Sequence, residues 1–159
     1  MRGKKIDNVS LNFEPSQGSR IKDYIPTTYV SLHLFSNKIF EELEKNNFSG
    51  FRKVPINLKD GNSNNIEGYS LLTVTGKCGK TFKDEKTIQT LPPITEFGKA
   101  MDHYIGIFFD VDTWDGSDFF MPEETGFIFF TERVKEVLLK LNISNLTITN
   151  IKDIETIVS

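Results

Sequence analysis

The sequence predicts an α+β fold: a single domain in which a mixed or antiparallel sheet carries two pseudo-repeated strand-helix-strand units, at about 29–57 and 126–152. Three observations predict it. The chain has 159 residues, close to the commonest domain size of roughly 100–150, so 1–159 reads as one domain. Runs of β-branched and aromatic residues alternate with two short stretches of helical period. The segments Phe35–Asn57 and Phe130–Lys152 also align without a gap at an offset of 95, with seven identical positions. These are Phe35/Phe130, Glu41/Glu136, Leu43/Leu138, Lys45/Lys140, Asn47/Asn142, Ser49/Ser144 and Ile56/Ile151.

Taken in order, a first strand is expected near Val9–Phe13. A second runs from Tyr29 to Phe35, with Val30, Leu32 and Leu34 on one face. Ser36 then precedes a helical pattern, as Thr131 does in the second unit, and each hydroxyl is placed to cap the first-turn N–H groups. The first helix has a thin apolar face, Ile39 and Leu43 against Glu42 and Asn46, which Phe40 widens, so it is expected to be the more exposed. The second has Val134, Val137, Leu138 and Leu141 at i, i+3, i+4 and i+7, a full face for a core. Asn47-Phe48-Ser49-Gly50 and Asn142-Ile143-Ser144-Asn145 end the helices with residues that tolerate left-handed backbone. Strands are expected to follow at Phe51–Ile56 and Leu146–Ile151. Phe127–Phe130 is apolar throughout, which predicts a strand buried on both faces and more central than its counterpart. Further strands are expected at Gly68–Thr75 and Tyr104–Val111, a turn at 60–65, and a surface excursion over Lys83–Ala100 with Pro92-Pro93.

Hydrophobic residues make up 38% of the chain, with 14 Phe, against 26% charged, so a core can form and disorder is excluded. No run approaches the ~20 apolar residues that span a bilayer. No apolar stretch follows Met1–Asn8 to make a leader. The single cysteine, Cys78, excludes an intrachain disulfide and fits a reducing compartment. A cytoplasmic, membrane-free protein is expected. The Asn-x-Ser triplets at Asn47 and Asn142 read as helix-end turns.

Several motifs fail on spacing. Gly76-Lys77-Cys78-Gly79-Lys80-Thr81 has two residues between its glycines where a phosphate loop needs four, and no helix follows, so it reads as a hairpin turn. Asp110–Asp118 places four carboxylates in nine residues. A calcium loop of the EF type wants Asp at its fifth position and Gly at its sixth, where this chain has Trp114 and Asp115. His33 and His103 form no ligand-spaced pair. No catalytic, cofactor or metal residue is assigned, and no cofactor is expected.

Charge is segregated. Met101–Thr131 holds seven acidic residues and no Lys or Arg, so against a net −3 the remainder of the chain is +4. Carboxylates interleaved with Trp114, Phe119 and Phe120 have the makeup of a surface for a basic protein: charge steers the encounter and aromatics supply contact. Asp110, Asp112, Trp114, Asp115, Asp118, Phe119 and Phe120 are therefore the candidate partner-binding residues. The competing reading turns the aromatics inward and leaves the acids as the wet side of a loop. Nucleic acid is disfavoured as a partner, because like charge opposes its phosphates.

The stretch Trp114-Asp115-Gly116-Ser117-Asp118-Phe119-Phe120, followed by Gly126–Val134 and the helix to Asn142, resembles the small immunity proteins of bacterial polymorphic or contact-delivered toxin systems. That family shows a Trp-x-Gly-Ser-Asp-like element, a strand, a Ser/Thr-capped helix and a closing strand. The resemblance covers Phe109–Ile151, and Asp23–Thr73 more loosely through Tyr24-Ile25-Pro26 and the Ser36 cap. It implies a non-enzymatic binding protein that neutralises a cognate toxin by stoichiometric occlusion, a basic toxin suiting the acidic segment. Trp114 and Asp118 have a second reading, as braces of the loop. Two other functions compete: an interaction module that forms a homodimer, and a metal-assisted hydrolase using the Asp110–Asp118 carboxylates.

Overall fold

The computed structural model describes residues 9–12, 22–27, 32–60, 62–93 and 95–158. In chain order its elements are β1 (Val9–Asn12), β2 (Tyr24–Pro26), β3 (His33–Ser36), α1 (Asn37–Lys45), β4 (Phe51–Lys59), β5 (Asn65–Ile66), β6 (Tyr69–Val74) and β7 (Gly76–Phe82). They continue as β8 (Ile88–Leu91), β9 (Met101–Ile105), β10 (Phe108–Phe109), β11 (Phe119–Glu123), β12 (Phe129–Phe130), α2 (Glu132–Lys140) and β13 (Glu155–Ile157). The architecture is α+β. Instead of one sheet, the described strands form three: β1-β4-β6-β3-β2 with β5 on β4, then β10-β7-β11-β12, then β13-β9-β8. The pairs β1/β4 and β7/β11 are parallel and the others antiparallel.

Both helices pack into one core with the inner faces of the first two sheets. Phe35 of β3, Leu72 of β6, Phe119 of β11, Ile39, Phe40 and Leu43 of α1, and Val134 and Leu138 of α2 are its buried members. Strand alternation sends the neighbouring residues elsewhere. Leu34, Leu58 and Leu71 join Ile25 on the far face of the first sheet, and Phe120 and Phe129 join Cys78 and Ile107 beyond the second.

The first helix is not the more exposed one. Ile39 and Phe40 are fully buried and Leu43 nearly so. The Phe40 ring meets Phe35 edge-on and lies tilted to Phe51, and burial of such a ring contributes about 1.5–3 kcal/mol. One aromatic residue thus makes up for the polar Glu42 and Asn46. In α2 only Val134 and Leu138 are buried.

Ser36 and Thr131 do occupy the N-cap positions, but neither hydroxyl caps its helix. Each turns to a carboxylate, a stronger acceptor for the O–H: Ser36 Oγ to Asp23 at 3.5 Å and Thr131 Oγ1 to Asp118 at 3.0 Å. The backbones match as well, Ser36 N–H donating to Asp23 O at 2.8 Å and Thr131 N–H to Asp118 O at 3.0 Å. Tyr24 pairs with Phe35 as Phe119 pairs with Phe130, and Ile25 with Leu34 as Phe120 with Phe129. Asn47 and Asn142 both end their helices with positive φ, at 53° and 48°.

Other expectations are corrected. β12 ends its sheet, whereas β3 lies between β2 and β6; it is therefore the less central, and Phe127 is exposed. The segment expected as the closing strand, Leu146–Ile151, forms no strand; Ile151–Asp153 is a 3-10 turn. Gly76–Thr81 is part of β7 rather than a hairpin turn. A Cβ on Gly76 would stand 1.8 Å from Ser117 Oγ and 2.2 Å from Phe119 O, so the glycine is what lets β11 approach. β11 itself was hidden in the acidic loop. The excursion over Lys83–Ala100 contains β8, and Gly106 at φ 91° divides the expected Tyr104–Val111 strand into β9 and β10. The start of the expected Tyr29–Phe35 strand and Gly61 of the expected turn lie outside the described residues.

Candidate functional site

The acidic, Trp114-bearing segment runs from β10 to β11 along β7. Its course is fixed by hydrogen bonds at every second residue of that strand. Phe109 faces Thr81, Thr113 Oγ1 accepts from Gly79 N–H at 2.8 Å, and Asp115 accepts from Lys77 N–H at 2.9 Å. Asp110 starts a 3-10 turn at Val111–Thr113 by accepting from Asp112 N–H at 3.0 Å.

The candidate residues fall into two groups. Phe119, Phe120 and Asp118 are buried. Trp114 is half-buried, its ring 5.2 Å from that of Phe120 and its Nε1–H donating to Ser117 O at 3.1 Å. These four do not form an open aromatic surface. Burial of Phe119 and Phe120 removes about 150–250 Å2 of ring surface each from water, and alternation sends the two rings to separate cores.

Asp118 is a junction. Its carboxylate accepts from Ser49 N–H at 3.0 Å, Ser49 Oγ at 3.1 Å and Thr131 Oγ1 at 3.0 Å, while its own N–H donates to Ser49 Oγ at 3.1 Å. It ties the end of α1 to the start of α2. Arg133 Nη1 stands 3.6 Å from the carboxylate from an exposed position, a distance and exposure that add little. Asp115 also serves the loop: Ser117 N–H and Oγ–H both donate to its carboxylate. The Ser117 hydrogen bond first, opposed by some burial and helped by the N–H groups of Ser117 and Lys77, holds it below the ordinary carboxylate range. Gly116, at φ 79°, permits the reversal between them.

The second group is exposed. Asp110, Val111 and Asp112 stand out on the 3-10 turn, with Val111 65% accessible. No cation pairs with either acid among the described residues. On β7, Lys80 bridges Glu124 at 2.8 Å. Among the described residues no three His, Cys, Asp or Glu side chains converge as a metal site.

Sequence reasoning missed Ser49, Lys77 and Gly79 as partners of this segment. The legible signal was Ser36 and Thr131 at one repeat position, whose hydroxyls each donate to an aspartate, Asp23 and Asp118. Cys78 is buried on β7. Burial first, then Asp115 and Glu123, push its thiol above the ordinary range, which leaves little thiolate at neutral pH. An aromatic disulfide reagent at pH 7.5 should therefore modify Cys78 only after denaturant is added; rapid stoichiometric reaction of the folded protein would contradict this placement.

Among the described residues no helix is long and apolar enough to cross a membrane. No protein-family model matches this chain, and no curated protein matches it in sequence.

Proposed function

We propose that this chain is an immunity-type binding protein that neutralises a cognate, basic toxin by stoichiometric occlusion, and that it acts in the cytoplasm. The observation that carries the reading is the Asp110-Val111-Asp112 turn: two exposed carboxylates, neither in an ion pair among the described residues, flank an exposed apolar side chain on a backbone pinned to β7. A preformed anionic turn with an apolar centre favours fast encounter with a cationic surface, since its geometry is set before contact. Of the seven candidate residues Asp110 and Asp112 remain as surface, and Val111, which the sequence did not single out, joins them between the two carboxylates. Trp114, Asp115, Asp118, Phe119 and Phe120 become the support that holds it. The resemblance of Trp114–Asp118 to immunity proteins agrees with such a brace. The two strand-helix units serve the same end as scaffold.

The proposal predicts that a toxin domain is encoded beside this gene, and the test uses that domain. Co-expression with this protein should be tolerated and expression of the toxin alone lethal; killing in both cases overturns the proposal. Asp110→Lys with Asp112→Lys should lower the association rate at low salt about 10-fold or more and flatten its salt dependence. An unchanged rate in a folded variant removes this turn from the interface.

A further inference from the structure

A groove of about 530 Å3 lies between β12 and the segment after α2, within the roughly 300–1,000 Å3 of sites that enclose ligand groups. Ile128, Phe129 and Phe130 form one wall and Ile148, Thr149 and Asn150 the other. We infer that this groove receives an extended, uncharged segment of a partner protein, added as a strand between β12 and Ile148–Asn150.

The offset of 95 relates the two units. It carries β2 onto the start of β11, β3 onto the Ile128–Thr131 stretch that holds β12, α1 onto α2, and the first part of β4 onto Leu146–Asn150. In the first unit β3 and β4 do not touch as neighbours: β6 lies between them and pairs with both. In the second, the equivalents of β3 and β4 are the two walls, and among the described residues no strand lies between them. The groove is the place β6 holds. This also explains why Leu146–Ile151 fails as a strand despite its alternating Leu, Ile and Thr residues. Its sequence is suited to a ladder, and no described strand pairs with it.

Backbone geometry agrees. Thr131 N–H donates to Asp118 O, so in an antiparallel pair Phe129 also faces β11 and Phe130 between them turns its N–H and C=O outward. Phe35, its counterpart, turns those groups to β6. An edge with free main-chain groups is what strand addition uses.

The occupant's chemistry follows from β6 and from the rim. Tyr69-Ser70-Leu71-Leu72-Thr73-Val74 carries no charge, and Leu71 and Leu72 fill opposite faces. In the groove the corresponding side chains would meet Phe120 and Phe129 on one face and Ile128, Phe130 and Ile148 on the other. The rim holds Glu132 and Lys135, already joined at 2.7 Å, with Lys152 and Asp153. Two charges of each sign select for no net charge.

The probe is a synthetic peptide of residues 68–74 with a solubilising lysine tail, added to the full chain. Amide hydrogen exchange of Phe130 should slow at least 10-fold at millimolar peptide. A peptide N-methylated at alternate residues, which keeps its apolar side chains but loses the ladder donors, should bind at least 10-fold more weakly. Ile148→Glu should abolish protection. The inference is overturned if Phe130 exchange is unaffected, if the N-methylated peptide binds equally, or if Phe130 is already protected without peptide because Ile148–Asn150 closes on β12. Should Ile148→Glu unfold, the N-methylated peptide decides on the unaltered protein. Toxin association through Asp110 and Asp112 is a separate readout, so either idea can fail alone.

Discussion

Asp118→Ala is expected to lower the melting temperature by roughly 6–12 °C. The carboxylate is 10% accessible and receives three protein hydrogen bonds, two from Ser49 and one from Thr131. Hydrogen bonds to a charged group contribute about 1.5–3 kcal/mol each, but those sharing one acceptor are not additive. A loss of about 3 kcal/mol is a moderate expectation, and in a chain of this length 1 kcal/mol moves the midpoint by about 2–4 °C. The loss has a structural side too, because Ser49 N–H and Thr131 Oγ are left with an apolar methyl. Ser49→Ala, which keeps the backbone donor, should cost less, and the two changes together less than their sum. A melting temperature unchanged within ~1 °C would mean that Asp118 holds nothing together.

Gly50→Ala is expected to be at least as damaging. Gly50 has φ 81°, and a Cβ there would lie 2.0 Å from Phe119 O and 2.7 Å from Ser117 Cβ. The carbonyl is main chain in β11 and cannot swing aside as a side chain could. Left-handed backbone in an alanine costs about 1–2 kcal/mol, and overpacking commonly adds about 1–3 kcal/mol. Gly68 gives the control: its φ is 82°, yet nothing lies within 4 Å of its Cβ position. Gly68→Ala should show the backbone penalty alone. Equal losses at the two sites would contradict the close approach of β11 to the Gly50 turn.

The same contacts explain what could be read in advance. The two helices, their asparagine ends and the strand before each were legible because their signals are local: apolar spacing and left-handed-tolerant residues. The roles of Gly50 and Gly76 were not, since what they accommodate, Phe119 O, is far away in sequence. β11 was hidden for a related reason. Its residues follow a run of acids, and nothing local shows that β7 lies parallel to it. Leu146–Ile151 erred in the opposite direction: local preference was right for a strand, and no strand among the described residues pairs with it. At the candidate site, charge segregation was legible from composition. The division of its acids into buried junction, loop support and exposed turn depended on Ser49, Lys77 and Thr131, which only the fold brings together.

In the proposed function, the Asp110–Phe120 segment divides into an exposed acidic turn that meets the partner and a fixed brace that holds it. One paired measurement tests it most directly: melting temperature and toxin association rate for Asp110→Lys/Asp112→Lys beside Asp118→Asn. The first variant should melt like the parent and associate about 10-fold or more slowly at low salt. The second should melt several degrees lower and associate at nearly the parental rate while folded. The reverse pattern, with Asp118→Asn slowing association at full stability and the lysine pair associating normally, would contradict the account.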